Sequence, residues 1–551
     1  MVQKIGGYQK NGSNTFTGKA RSAMDWQTLA LEKFIAIGTH LKLHLWKGGT
    51  YYDITPIRKT VNPMANNPFA MTNLSTTVTV TDVAHGALTG DYVTFSGASA
   101  GGGITISGEY QLTKTTDDAF TIVHSAAATS TTSGGGAAVV AAYQINIGVS
   151  YSVAGMGWGA STWGASTWGT ARSVSNFLAV ARTWGLDNWG EDLIANPRDG
   201  GIYVWDASVG TSTRAAALGG TAPTTAKSVF VSDQNRHLVV LAPDGENLKV
   251  SWSSSEDYTD FTADASNTAG SKLLDGGNEL FMGVKTKLGT LLFTDSVLWL
   301  MKFDGPPFTF IFERIGSANG IRGPNAAKEF DGRVFWMGQN GFWYYDGSIK
   351  MLDCDVLPTI FDDIDNTQSA LVYAGANRPF NEIWWLYPTD GETECDRYVL
   401  YNTELKTWAF GTLARTVLIG DSDTFGNPYA MGADGYLYDH DFGVNADGAA
   451  LSAYAETSDM EIASGEDIMF VDQMIPDFSE LDGTLSVTLK GRRYPKDEQL
   501  TKGPYSVTSS SELVNVRITA RQLSVRLEVS DVGAHFRTGT LRINIQPDGQ
   551  R

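Results

Sequence analysis

Few residues in this chain have the types and spacing that chemistry requires. Gly97-Ala98-Ser99-Ala100-Gly101 spells the glycine-flanked serine of a hydrolase nucleophile turn. That turn works only between a strand and a helix, and here it lies in a run of Gly, Ala and Ser, so no nucleophile is expected. No H-E-x-x-H, no G-x-x-x-x-G-K-S/T and no C-x-x-C occurs. Of seven histidines only His40 and His44 are close, on one face of an expected strand; without further ligands they are expected to be satisfied by neighbours. Asp439, Asp441, Asn445 and Asp447 are oxygen-rich like a calcium loop, yet they lack its bidentate Glu and fixed Gly and read as a solvated acidic linker. The pairs Asp362-Asp363 and Glu256-Asp257 suit glycoside hydrolysis only at a separation that sequence does not fix. Asp-box turns of the S-x-D-x-G-x-x-W kind are missing. The expectation is a chain that is not an enzyme, with no cofactor and no metal site.

Two features point to assembly instead. Trp158, Trp163 and Trp168 recur every five residues in GWGASTWGASTWGT, a period that fits neither a helix nor a strand. Rings presented by successive Trp-Gly turns suit a contact between subunits, or pack back on the fold. Residues 421–482 hold 15 Asp/Glu, and no Lys or Arg occurs between Arg415 and Lys490. Asp421, Asp423, Asp434, Asp439, Asp441 and Asp447 are therefore candidates for an acidic channel or interface face, the alternative being a solvated surface. Residues 490–551 carry 11 basic and six acidic residues, the opposite sign.

Length and composition limit what must position these groups. The 551 residues carry 41 Lys+Arg against 60 Asp+Glu, a net charge of −19 that disfavours a general nucleic-acid or anionic-membrane binder. Sixty-one aromatics argue for large buried cores. Cys354 and Cys395 read as reduced packing residues. The start MVQKIGGYQKNGSNTF has no apolar leader and no apolar run reaches 18 residues, so a cytosolic protein with no membrane span is expected.

An aromatic-rich strand recurs as GTYYDI at 49, GIYVWD at 201, SVLWLM at 296, GFWYYDG at 341 and GYLYDHD at 435, with looser copies ENLKVSW at 246 and DRYVLYN at 396. A step near 40–50 residues made of strands and turns is the mark of β-propeller blades. The expected fold is all-β: a β-propeller of six or seven blades with an inserted small β domain and a C-terminal β-sandwich-like domain. The boundaries expected are 1–60 for an N-terminal segment and first blade strands, 61–149 for the insert, 150–448 for the propeller core and 449–551 for the C-terminal domain. The insert stands out because it has one basic residue, Lys114, and five acids. Helix is expected to be scarce, its best candidate being SAMDWQTLALEKF, residues 22–34.

The stretches TWGLDNWGEDLIANPRDGGIYVWD (183–206), SWSSSEDYTDFTADASNTAG (251–270), LLFTDSVLWLMKFDGPPFTFIFERIGSANGIRGPNAA (291–327), FDGRVFWMGQNGFWYYDGSI (330–349) and FNEIWWLYP (380–388) resemble the tail nozzle, or tail hub, family (tail tubular protein B-like) of short-tailed bacteriophages. ALEKFIAIGTHLKLHLWKGG and YYDITPIR resemble its opening blade, so the likeness covers roughly residues 25–60 and 150–480. The resemblance implies a virion structural protein: a homo-hexameric ring below the portal and adaptor rings, attaching tail fibres or spikes and framing a channel through which viral DNA passes without specific binding. It also implies assembly in the host bacterial cytoplasm. The insert has no counterpart in that pattern. The alternative is a propeller-based surface protein that binds or cleaves glycans.

Overall fold

The computed structural model describes residues 2–153, 179–305, 307–317, 320–461 and 465–549. Nearly all of them are strand and turn, with one short α-helix at Leu357–Phe361 and a few 3-10 turns among the described residues. The chain divides into two compact units, one holding 12–426 with 430–437, the other holding 1–11, 427–429 and 438–551.

The larger unit is a β-propeller. Four-stranded antiparallel meanders occupy 20–53, 184–217, 228–273, 280–317, 327–351 and 373–412, and a last sheet begins with Val417–Ile419. The first strands of successive sheets lie side by side around an axis: Ala20–Gln27, Trp184–Trp189, Ser228–Val231, Leu280–Thr286, Ala327–Phe330, Tyr373–Asn377 and Val417–Ile419, which returns to Ala20–Gln27. The second strands are apolar on both faces, as in Leu238–Leu241 and Glu382–Tyr387, because a neighbouring sheet covers each side.

Aromatic pairs fill the gaps between sheets. Phe34 meets Trp205 at 5.5 Å, Trp252 meets Phe310 at 5.4 Å, Phe293 meets Trp336 at 5.3 Å and Phe342 meets Trp385 at 4.7 Å. Trp46 meets Phe425 at 5.6 Å between the first sheet and the loop of the last. Burial of rings of this size supplies most of the packing energy available to an interface between sheets.

The helix expected at 22–34 is instead a hairpin, Ala20–Gln27 turning into Lys33–Thr39. Trp26 lies opposite Phe34 and stacks on it at 5.4 Å. Leu29 and Leu31 project from the turn at 92% and 75% exposure. Cross-strand pairing on a buried aromatic face outweighs helix propensity here.

Residues 57–144 form one eight-stranded sheet inserted between the first and second propeller sheets. Strand alternation turns Val78, Val80, Val93, Phe95, Leu112, Phe120 and Ile122 into its core and leaves Thr77, Thr81 and Thr113 exposed. A charge cluster fastens this sheet to the propeller. Lys42 is buried, bonds to Asp53 at 2.9 Å and to Glu109, and sits 4.4 Å from the Tyr92 ring. Arg214 reaches both oxygens of Asp53 at 3.1 and 3.0 Å.

The other unit holds a five-stranded and a three-stranded sheet facing one core, with a two-stranded ladder of Phe478–Asp482 and His535–Thr538 beside them. Leu485, Val487, Leu489, Leu523 and Val525 of one sheet meet Val471, Met474 and Ile518 of the other. The chain's start is woven into this unit: Tyr8–Lys10 pairs with Tyr438–His440, and the buried Lys4 ammonium donates to Val444 O at 2.9 Å and Ala534 O at 2.6 Å.

His44, buried in the first propeller sheet, is held neutral. Burial pushes its pKa from 6.5 down to about 4, against the opposing pull of Asp53. The unfolded chain takes this proton below about pH 6.5 while the folded chain does not, so the contribution is full above 6.5 and is lost as pH falls toward 4. Denaturant unfolding at a series of pH values will show wild type losing about 1–3 kcal/mol relative to His44→Gln between pH 7 and pH 4. A constant difference contradicts this.

Candidate functional site

The axis of the propeller encloses a cavity of about 320 Å³ between the first strands of six sheets. Glycine lets those strands approach: a Cβ at Gly283 would stand 2.5 Å from the Phe230 ring, and one at Gly375 would stand 2.5 Å from Leu418 O.

Polar ties cross one end of the axis. Asn325, just before the fifth sheet, donates its side-chain amide to Arg21 O at 2.9 Å and Ser22 Oγ at 3.2 Å on the first sheet, while its backbone carbonyl accepts Ala374 N of the sixth at 2.7 Å. Ser22 Oγ donates to Trp184 O at 2.8 Å on the second sheet. Arg21, 3% exposed, binds Glu394 from the sixth sheet's loop through both guanidinium nitrogens, at 2.9 and 2.7 Å. Gln368 exchanges hydrogen bonds with Ser152 N and O at 2.8 and 2.7 Å.

Each lysine along the cavity meets a carboxylate. Lys285 lies 2.8 Å from Asp187 and 3.2 Å from Asp233. Burial opposes its charge, but the two carboxylates prevail and hold its pKa above the ordinary value. Lys227 pairs with Glu279, which Arg198 also approaches at 3.4 Å, and Lys328 pairs with Asp421 at 2.9 Å. Burial pushes the Tyr373 phenol up.

Proton-transfer chemistry calls for a carboxyl whose pKa is raised, and two are found elsewhere. Asp91 is buried, and burial raises it although Leu88 N and Ile147 N donate to it at 2.7 and 2.8 Å; that is a tie between two chain segments of the larger unit. Asp192 is raised by burial and by the charges of Asp206 and Glu191, while Ala207 N donates to it at 3.0 Å. Trp189 and Tyr258 pack edge to face nearby at 5.3 Å. Sequence reasoning missed Asp192 and Asp206; their signal was an acid at the start of one strand in GEDLI and another at the end of its partner in YVWD.

The residues singled out by sequence fall in separate settings. Trp158, Trp163 and Trp168 lie outside the described residues; Val153 and Ala179, which flank that stretch, bond to each other through both backbone groups. Asp421 and Asp423 pair with Lys328 and Arg378, each at 2.9 Å, and Asp434 sits in a turn where it accepts Tyr436 N. In the other unit, Asp439 accepts Asn11 at 2.9 Å, Asp441 has a left-handed backbone (φ 54°) and Asp447 faces Lys10 at 3.5 Å. His40 and His44 bond to the backbone of Lys19 and Thr17. Cys354 and Cys395 are free thiols, and burial pushes the Cys395 thiol up to about 12. Among the described residues no group of His, Cys, Asp and Glu could hold a metal ion, and no helix is long and apolar enough to cross a membrane.

No family model and no curated relative matches the chain. Solved structures similar to it include the endosialidase of phage phi92, at 11% identity over 80% of this chain and 57% of that one, TM-score 0.17. An exo-β-1,3-galactanase from Phanerochaete chrysosporium has 6% identity over 67% and 97%, TM-score 0.22. A glycoside hydrolase has 8% identity over 66% and 96%, TM-score 0.20. The chain thus spans little more than half the length of the endosialidase. The expectation that this chain is not an enzyme is corrected, because these similar structures are enzymes. At such scores no site and no substrate passes from them to this chain.

The axial ties make a stability prediction. Glu394→Gln leaves the buried Arg21 guanidinium without its counter-charge and will cost about 3–5 kcal/mol in denaturant unfolding, since breaking a buried pair strands the remaining charge. An unchanged midpoint contradicts the tie.

Proposed function

We propose that this chain is a structural component of the tail of a short-tailed bacteriophage, similar to the nozzle or hub proteins, located in the virion and assembled in the host bacterial cytoplasm. In this reading copies form a ring, homo-hexameric by the resemblance, below the portal and adaptor rings and holding fibres or spikes. The observation that carries the reading is the role of the residues behind the resemblance: Trp184 and Asn325 cross-tie the axis, while Trp205, Trp336 and Trp385 are fully buried between sheets. The shared stretches are thus the ones that make the propeller a rigid block, which a ring under the pressure of a packaged genome requires.

The axial cavity of about 320 Å³ also constrains the reading. A DNA duplex, whose major groove alone is about 12 Å wide, has no room there. The DNA path therefore runs between copies, and a net charge of −19 weakens adhesion of phosphate to its walls.

A second reading, a glycan-binding or glycan-cleaving surface protein, has its own support in Asp192. A carboxyl whose pKa is raised by burial and by the charges of Asp206 and Glu191, with two aromatic rings close by, has the residue types of glycoside hydrolysis.

Two experiments separate the readings. Electron microscopy of the purified chain and of its source particle is expected to show six-fold rings and a matching density at the tail vertex; a persistent monomer at micromolar concentration, absent from the tail, contradicts the first reading. For the second, host surface polysaccharide is incubated with wild type and Asp192→Asn: release of reducing ends by wild type and its loss in the variant is the expected outcome. No release by wild type, or equal release by both, removes the assignment to Asp192.

A further inference from the structure

The inserted sheet contains a cleft that neither the propeller nor the tail-ring reading uses. Strands Gly108–Lys114 and Ala119–Val123 pair at Leu112–Ile122, Thr113–Thr121 and Lys114–Phe120. Before Leu112 the first strand turns to a different neighbour and pairs with Tyr92–Ser96. Beyond Val123 the second chain segment also leaves, and His124 N bonds to Thr76 O at 2.8 Å. The two segments part, and an open cleft of about 790 Å³ lies between them. That is within the range of small-ligand sites.

The lining is polar, aromatic and almost uncharged. Tyr110 and His124 stack with ring centroids 6.3 Å apart. Ser107, Thr113 and Ser125 bring exposed hydroxyls. Among the described contacts, no hydrogen bond engages these three hydroxyls or the Tyr110 phenol. Gln111 spends its amide nitrogen on Gly90 O at 3.0 Å and keeps its carbonyl oxygen for a ligand. Glu109, the one carboxylate of the lining, is already taken by Lys42 and Arg214.

We infer that this cleft binds an uncharged oligosaccharide. Sugar rings present C–H faces that pack on aromatic rings and hydroxyls that exchange hydrogen bonds with hydroxyl and amide groups, and this wall offers both. A phosphate or sulfate would need a free cation, which the lining lacks; a lipid would leave five polar side chains unsatisfied. The cleft belongs to the insert alone, so the inference stands whether or not the chain forms a tail ring.

The test uses the full-length protein with three neutral probes, a β-1,3-galactan hexasaccharide, chitotetraose and maltohexaose, and two anionic probes, a sialic acid oligomer and a heparin hexasaccharide. Saturation-transfer NMR and calorimetry are expected to show binding of at least one neutral probe, weakened at least ten-fold by Tyr110→Ala and by Gln111→Ala. Tyr110 also packs on Phe95 at 6.1 Å, so Ser125→Ala at an exposed position is measured beside it, with thermal unfolding to show that each variant is folded; a folded Ser125→Ala or Gln111→Ala with weakened binding supports the site. Binding of none of the neutral probes at millimolar concentration, preference for the anionic probes, or unchanged affinity in the folded variants overturns it.

Discussion

Every propeller sheet has two faces and one axis to share, and that constraint organises the rest. A four-stranded meander cannot bury both faces alone, so it is stable only between two others, and the row must return on itself to leave no face open. The large rings provide that cover. Trp205, Trp336 and Trp385 are fully buried although each belongs to only one sheet, because the ring reaches across to the next. The abundance of aromatics is thus a consequence of geometry, and most of them are committed before any ligand is considered.

The axis is where apolar packing gives out. Glycines let the first strands crowd there, and the polar groups that face the cavity must satisfy one another. Lysine–carboxylate pairs neutralise its sides, while Asn325, Ser22, Arg21 and Glu394 knit one end. These ties join sheets far apart in the chain, the first to the fifth and sixth. The inserted sheet is fastened by the same device, with Lys42 and Arg214 shared between Asp53 and Glu109.

The fold was largely legible in the sequence because strand repeats carry their own pattern. GIYVWD, ENLKVSW, SVLWLM, GFWYYDG, DRYVLYN and GYLYDHD all contain the third strand of their sheets. GTYYDI falls on the fourth strand of the first sheet, one strand out of step, since its third strand, Leu43–Lys47, lacks the aromatic cluster. The hairpin at 20–39 was misread as partly helical because the pairing of Trp26 with Phe34 that decides it is a cross-strand contact; Leu29 and Leu31 project into solvent from its turn. The sites were less legible. Asn325 and Ser22, or Lys285 and Asp187, are brought together by closure of the ring, and periodicity within one strand says nothing of which distant strand it will meet. The raised carboxyl of Asp192 depends on burial and on Asp206 across a strand pair, neither visible in a linear pattern.

The sheets around the axis behave as a single body held by packing between them and by ties across one end. Native-state hydrogen exchange followed by mass spectrometry tests it most directly. Amides of Trp184–Trp189, Leu280–Thr286, Ala327–Phe330 and Tyr373–Asn377 are predicted to open with one common free energy, equal to that of global unfolding of the propeller. Separate opening energies that fall from sheet to sheet along the chain would contradict it.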